Sequence, residues 1–162
     1  MPPRVGGAVR EKDVLSQVFL FRELTAREME QVLSISREKK AKKNELIFKE
    51  GDIGDAFYLI VTGSVRISTI VPGVGEEALT ILREGEYFGE MALIDDAPRS
   101  ASAIANDDTM LLHIGKEDFR KLLEQQTDIA YKLLWIFTKT LSARLRKTDE
   151  QLKSIFSIAK TF

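Results

Sequence analysis

The chain has 162 residues, 44% of them apolar, which suits one globular domain with a core of its own. The absence of cysteine and the presence of a single histidine exclude disulfides, a cysteine nucleophile and a His-rich metal site. The net charge of −1 sums unlike parts: residues 51–126 carry six Lys/Arg against fourteen Asp/Glu, a poor nucleic-acid surface, while both flanks are basic.

Residues 1–13, with Pro2, Pro3, Gly6 and Gly7, read as a loose leader without the apolar stretch of a signal peptide. No apolar run approaches the ~20 residues of a membrane span, so a cytoplasmic protein without membrane contact is expected. Val14, Leu15, Val18 and Phe19, then Phe21 and Leu24, give a short helical pattern. Thr25-Ala-Arg-Glu28 is a capping box that opens a second helix, with Met29, Val32, Leu33 and Ile35 as its apolar stripe. The basic run Lys39 to Lys43 reads as a solvated strand edge or turn.

From Glu45 the pattern is that of strands. Leu46 to Phe48, Phe57 to Val61, Val65 to Val71, Ala78 to Leu82, Ser100 to Ala105 and Met110 to Ile114 are short, β-rich and separated by turn signals. Seven of the ten glycines fall between Gly51 and Gly89, as closely spaced reversals require. This spacing predicts a β-sandwich or a small jelly-roll barrel. The last third is helical: Lys116 to Leu123, then a stretch from Asp128 with neither Gly nor Pro, long enough for one helix of about 50 Å. Leu134, Thr138, Leu141, Leu145, Thr148, Leu152, Ile155, Ala159 and Phe162 recur at spacings of four and three, a heptad seam that predicts a parallel homodimeric coiled coil. Tyr131, Trp135, Ile136 and Phe137 are expected to pack on the barrel.

The chemistry concentrates in Phe88 to Ala103. Gly89 removes side-chain bulk where a backbone must come close, and Glu90 to Leu93 can form one helical turn whose first amides point at an anion. Arg99, behind Pro98, offers a fork for two phosphate oxygens, and Glu90 a carboxylate for a sugar hydroxyl. Together they describe a pocket for a nucleotide with one phosphate. From Gly51 to Gly115 there is no lysine, which singles out Arg99 further. The plain alternative is an exposed Glu90–Arg99 salt bridge, worth about 0–1 kcal/mol. His113 is read as a structural strand histidine and Asp95-Asp96 as exposed turn carboxylates.

Phe88-Gly89-Glu90, Ala92-Leu93, Pro98-Arg99 and Ala101 resemble the phosphate-binding cassette of the cyclic-nucleotide-binding domain family. Glu50-Gly51-Asp52, Asp55, Tyr58, Ile60, Gly63 and Val65 match a second signature of that family, so that the resemblance runs from about Val14 onward. It implies an α+β fold: an antiparallel β jelly-roll barrel with N-terminal helices that move on ligand binding, and a long C-terminal dimerisation helix. The implied divisions are a leader over 1–13, the nucleotide-binding domain over 14–126 and the long helix over 127–162. The implied function is a non-enzymatic receptor for a cyclic mononucleotide, cAMP ahead of cGMP, with no cofactor and no metal. The ligand residues carried over are Phe88, Gly89, Glu90, Met91, Ala92, Arg99, Ser100, Thr148 and Asp149. Ser100 fits either a phosphate contact or a small strand residue. Thr148 fits either the adenine contact made by bacterial activators of this family or a register-setting polar residue at the seam. Asp149 can accept from the amino group of adenine or guanine, so the base stays open. With no second globular unit after the long helix, DNA binding is not expected; the chain is either a free-standing sensor that signals through a separate effector protein or the sensory part of a longer product. The rival reading is a ligand-free structural or interaction module that keeps the fold.

Overall fold

The computed structural model describes residues 18–160. The expected leader, Val14, Leu15 and Phe162 lie outside these residues. After a 3-10 turn at Phe19–Phe21 come helix α1 (Ala26–Ser34) and strands β1 (Ser36–Ala41), β2 (Leu46–Phe48), β3 (Ala56–Thr62), β4 (Ser64–Val71), β5 (Gly75–Arg83) and β6 (Tyr87–Phe88). A single helical turn α2 (Met91–Ile94) leads to β7 (Ser102–Ala105) and β8 (Thr109–Gly115), and the chain finishes in α3 (Lys116–Gln125) and α4 (Thr127–Ala159).

The strands form two antiparallel four-stranded sheets, ordered β1-β8-β3-β6 and β2-β7-β4-β5. The expected jelly roll is present, but its sheets do not close into a barrel. Among the described residues the edge strands, β1 and β6 in one sheet and β2 and β5 in the other, have no ladder between them, so each sheet keeps two open edges. β3 is buried on both faces, because it lies between two cores. Ala56, Tyr58 and Ile60 join Val65, Leu82, Phe88, Ala103 and Leu111 between the sheets. Phe57 and Leu59 face the other way, into a cluster with Phe119, Ile129, Leu133, Ile136 and Phe137 of the C-terminal helices.

Two strands were not expected. β1 reads Ser-Arg-Glu-Lys-Lys-Ala and has almost no apolar pattern; it is an edge strand fixed by its ladder to β8, from Ser36 opposite Ile114 to Ala41 opposite Thr109. The basic run thus begins on a strand edge, where lysine discourages further pairing. β6 has two residues, too few for any period. β7 starts at Ser102 rather than Ser100, and its Ala103 and Ala105 point inward.

The capping box at Thr25 forms as expected: the Thr25 hydroxyl accepts from the Glu28 amide, and the Glu28 carboxylate accepts from the Thr25 amide at 2.7 Å. Glu28 also takes the Lys132 ammonium at 2.7 and 3.0 Å, tying α1 to the start of α4. On α4 the packed stripe is Ile129, Leu133, Ile136 and Phe137. Tyr131 and Trp135, expected to join it, are 69% and 47% exposed. At 100° per residue they lie two positions off the buried stripe, on the opposite flank.

Candidate nucleotide-binding site

β6 delivers Phe88 to the inter-sheet core, stacked on Tyr58 with ring centroids 5.2 Å apart. The next residue, Gly89, has φ +82°, and a Cβ there would stand 2.7 Å from Arg99 Nη1 and 3.3 Å from the Ala56 carbonyl oxygen. Glycine is therefore required twice, for the left-handed backbone and for the close approach of the arginine. The backbone then turns right-handed at Glu90, whose carbonyl accepts from the Leu93 amide at 2.9 Å, and α2 follows. Gly54 supplies a second close approach, since a Cβ on it would sit 2.0 Å from that of Ala92.

Arg99 is 5% exposed. Its backbone is fixed by two hydrogen bonds to the preceding turn, the Arg99 amide donating to the Asp52 carbonyl and the Gly51 amide to the Arg99 carbonyl, each at 2.8 Å. Its Nη1 donates to the Gly89 carbonyl at 2.9 Å, its Nη2 to the Ala56 carbonyl at 2.6 Å, and its guanidinium carbon lies 4.0 Å from the Phe48 ring centroid. The nearest carboxylate, Asp55, is 3.7 Å away and largely exposed. Nε is buried and has no acceptor among the described residues. Burial pulls the pKa of Arg99 below its usual value, but an arginine remains charged. The result is a desolvated cation held mainly by neutral carbonyls and a ring, with donor capacity to spare. A buried charge without a close counter-charge is costly, and an anion offsets that cost.

Glu90 is 1% exposed. It does not pair with Arg99, so the plain reading of an exposed Glu90–Arg99 bridge fails on both burial and geometry. Its partner is Arg144 of α4, whose Nη1 donates to Oε1 at 2.5 Å while Nη2 donates to the Tyr87 carbonyl at 2.8 Å. Desolvation pushes the Glu90 pKa up and outweighs the opposing pull of Arg144. Tyr87 lies beneath this contact, its ring 5.5 Å from the Arg144 guanidinium and 5.4 Å from the Phe137 ring, and burial raises its hydroxyl to about 12.

The fold thus brings Phe88, Gly89, Glu90, Met91, Ala92 and Arg99 into one loop around one buried cation and one buried carboxylate. Ser100 follows on the exposed side, and Met91 is also exposed. Thr148 and Asp149 are exposed on α4, one turn beyond Arg144, and the Thr148 hydroxyl donates back to the Arg144 carbonyl at 3.1 Å. Neither makes a hydrogen bond to the cassette. Arg144 was missed by the sequence reading. Its signal was there: four residues before Thr148, it occupies the same helix face one turn earlier. His113 packs on Tyr58 at 5.4 Å, and burial lowers its pKa, as befits a structural residue. Among the described residues no three His, Asp or Glu side chains group as metal ligands, and no helix is long and apolar enough to cross a membrane.

An antiparallel jelly roll that encloses an arginine and a glutamate in one short loop, and ties that loop to a long helix, belongs to the class of small-ligand-binding domains. Residues 38–126 match the family model described as the cyclic nucleotide-binding domain, and the chain belongs to that family. It is 38% identical over 133 residues to the cyclic AMP receptor protein of Thermus thermophilus, covering 82% of this chain and 60% of that protein. It is 36% identical over 112 residues to a cAMP-dependent protein kinase regulatory subunit of Colletotrichum orbiculare, covering 69% of this chain and 28% of that one. Its structure resembles the Thermus thermophilus catabolite activator protein with a TM-score of 0.73 at 36% identity, over 85% of this chain and 62% of the other. A cyclic nucleotide-binding domain from Methylobacillus flagellatus gives 0.80 at 25% identity, over 90% and 84%. The chain therefore spans less than two thirds of the receptor and under a third of the kinase subunit. By name these relatives are a receptor and a regulatory subunit, regulators rather than catalysts.

Proposed function

We propose that this chain is a receptor for a cyclic mononucleotide, cAMP ahead of cGMP, that reports binding through α4. The observation that carries the reading is the buried Arg99 guanidinium, held by carbonyls, with Nε unpartnered beside the Gly89–Ala92 backbone. In this reading Arg99 and the Gly89 to Ala92 amides hold the phosphate, Ser100 adds its hydroxyl, and Glu90 accepts from the ribose. Thr148 and Asp149 face the base, with Phe88 as the floor of the cassette. The receptor named for Thermus thermophilus and the kinase regulatory subunit support cAMP as the first ligand to try.

Arg144 supplies the means of coupling. It grips Glu90, the residue that would meet the ribose, so ligand and α4 compete for or share one carboxylate. A ligand shifts a conformational equilibrium only by binding one arrangement better than the other, and this shared carboxylate is where the difference would arise. Beyond Arg144 the apolar residues Leu145, Leu152 and Ile155 are exposed, which supports pairing of this half with a second copy along the heptad seam. The division at residue 127 into binding domain and long helix, the location in the cytoplasm, the absence of a cofactor and the transfer of the signal to a separate effector protein belong to the same proposal.

The test is a thermal-shift titration of the wild type and Arg99→Ala with cAMP, cGMP and a cyclic dinucleotide. At a hundredfold excess over Kd, binding adds ~2.7 kcal/mol, on the order of 5–11 °C for a domain of this size. Arg99→Ala is expected to remove that shift, as loss of a buried charged partner costs roughly 2–5 kcal/mol. No shift with any of them, in protein free of co-purified nucleotide by mass spectrometry, returns the chain to the ligand-free interaction module.

A further inference from the structure

Lysine is a poor choice for the first residue of a helix, because its charge meets the positive end of the helix dipole. Lys116 nevertheless opens α3, and only 14% of its side chain is exposed. Its ammonium donates to Asp96 Oδ1 at 2.6 Å, and Arg120, one turn further along α3, donates to the same oxygen at 3.2 Å. Asp96 sits in the connection between α2 and Arg99. Among the described residues that connection has little else to hold it. The Asp95 amide donates back to Met91, the Ala97 amide to the side chain of Asp95, and the next long-range hydrogen bond is that of the Arg99 amide to Asp52. Ile94, Ala97 and Pro98 are exposed and supply no apolar anchor.

Lys116 also reaches the other side of the arginine. Its own amide donates to the Asp55 carbonyl at 2.7 Å, and the adjacent Ala56 carbonyl is the acceptor for Arg99 Nη2. The contacts close a ring: α3 holds the strand end that holds the guanidinium, and α3 holds the loop that carries the arginine's backbone. We infer that Asp96 is a positioning residue for the cassette, and that its bridge to Lys116 and Arg120 sets the placement of Arg99 relative to α3. Phosphate affinity then depends on where α3 lies, by a route that does not pass through Arg144. The affinity part of this inference rests on the cyclic-nucleotide reading; the positional part does not.

The test uses the full chain. Wild type, Asp96→Asn, Lys116→Met and the double variant are titrated with cAMP by calorimetry, and the ligand-free proteins are compared by amide exchange over residues 91–99. Each single variant is expected to bind about threefold to fivefold more weakly, the upper range for an exposed pair, and the double variant no more weakly than either single one. Asp96→Glu restores part of the loss, and about 1 M salt, where screening acts within ~3 Å, shrinks the difference from wild type. Exchange at residues 95–97 and at Arg99 rises in Asp96→Asn while the unfolding midpoint stays put. Unchanged affinity, additive losses, or exchange over 91–99 identical to wild type overturns the inference. If wild type binds no cyclic nucleotide, the receptor reading fails by that result, and the exchange comparison alone decides the positioning role.

Discussion

Two carboxylates pin α4, and they do so in opposite electrostatic circumstances. Glu28, at the N-terminus of α1, is partly exposed and takes Lys132; that hydrogen bond is the largest reason its pKa lies below the ordinary 4.5. Glu90 takes Arg144 three turns further along, but it is buried, and desolvation leaves its pKa above 4.5. The first pair contributes stability in its ionised state. The second holds a carboxylate where ionisation is costly, and the cost is partly offset by one half-exposed arginine. A contact of this second kind is easily retuned by a new neighbour, which is what a site that must respond to a ligand requires.

Between the two pairs α4 is packed, and beyond the second it is not. The largest expected effect therefore comes from the packed segment: Phe137→Ala should destabilise the fold by about 3–5 kcal/mol, read from denaturant midpoints. Leu152→Ala, in the exposed half, should leave the monomer's stability within about 0.5 kcal/mol and weaken only self-association. Equal losses at the two positions would erase the boundary drawn at Arg144.

Arg144→Ala comes next, because it leaves Glu90 buried without its cation, at a cost of about 1–3 kcal/mol near neutral pH. The sign of the pH dependence follows from the raised pKa. Glu90 carries no ionisation penalty below 4.5, and the penalty grows as pH climbs from there through its folded value. The deficit of Arg144→Ala should thus shrink as pH falls toward 4.5.

Glu28→Gln should be milder, about 0.5–1 kcal/mol at neutral pH, since glutamine can still close the capping box. Here the pKa is lowered, so the stabilisation is fully present above 4.5 and is lost as pH falls through the folded value. The windows of the two pairs lie on opposite sides of 4.5, and stability curves from pH 3 to 7 for both variants separate them.

What could be read from the chain followed from where physics leaves a periodic trace. Strands rich in β-branched and apolar residues, such as Val65 to Val71 and Met110 to Ile114, stand out between turn signals, and the capping box at Thr25 is a local motif with a local cause. The cassette was legible because Gly89, Glu90 and Arg99 stand at fixed spacing in a stretch otherwise short of cations. β1 was legible only as a basic edge, because its position comes from a ladder to β8 and not from buried side chains. Tyr131 and Trp135 are bulky and apolar, the composition of a packed face, but helix phase places them on the outer flank. The bridges from Arg144 to Glu90 and from Lys116 to Asp96 join residues 54 and 20 apart in sequence; the helix face shared with Thr148 marks Arg144, but no short-range pattern names the partner of either cation.

Ligand at the cassette should be felt by α4 through Glu90. Amide exchange over residues 142–150, with and without saturating cAMP, tests this directly in wild type and in Arg144→Ala, with saturation confirmed by calorimetry. A ligand-dependent change in exchange is expected in wild type, and none in an Arg144→Ala protein that still binds. Identical exchange in free and saturated wild type would contradict it.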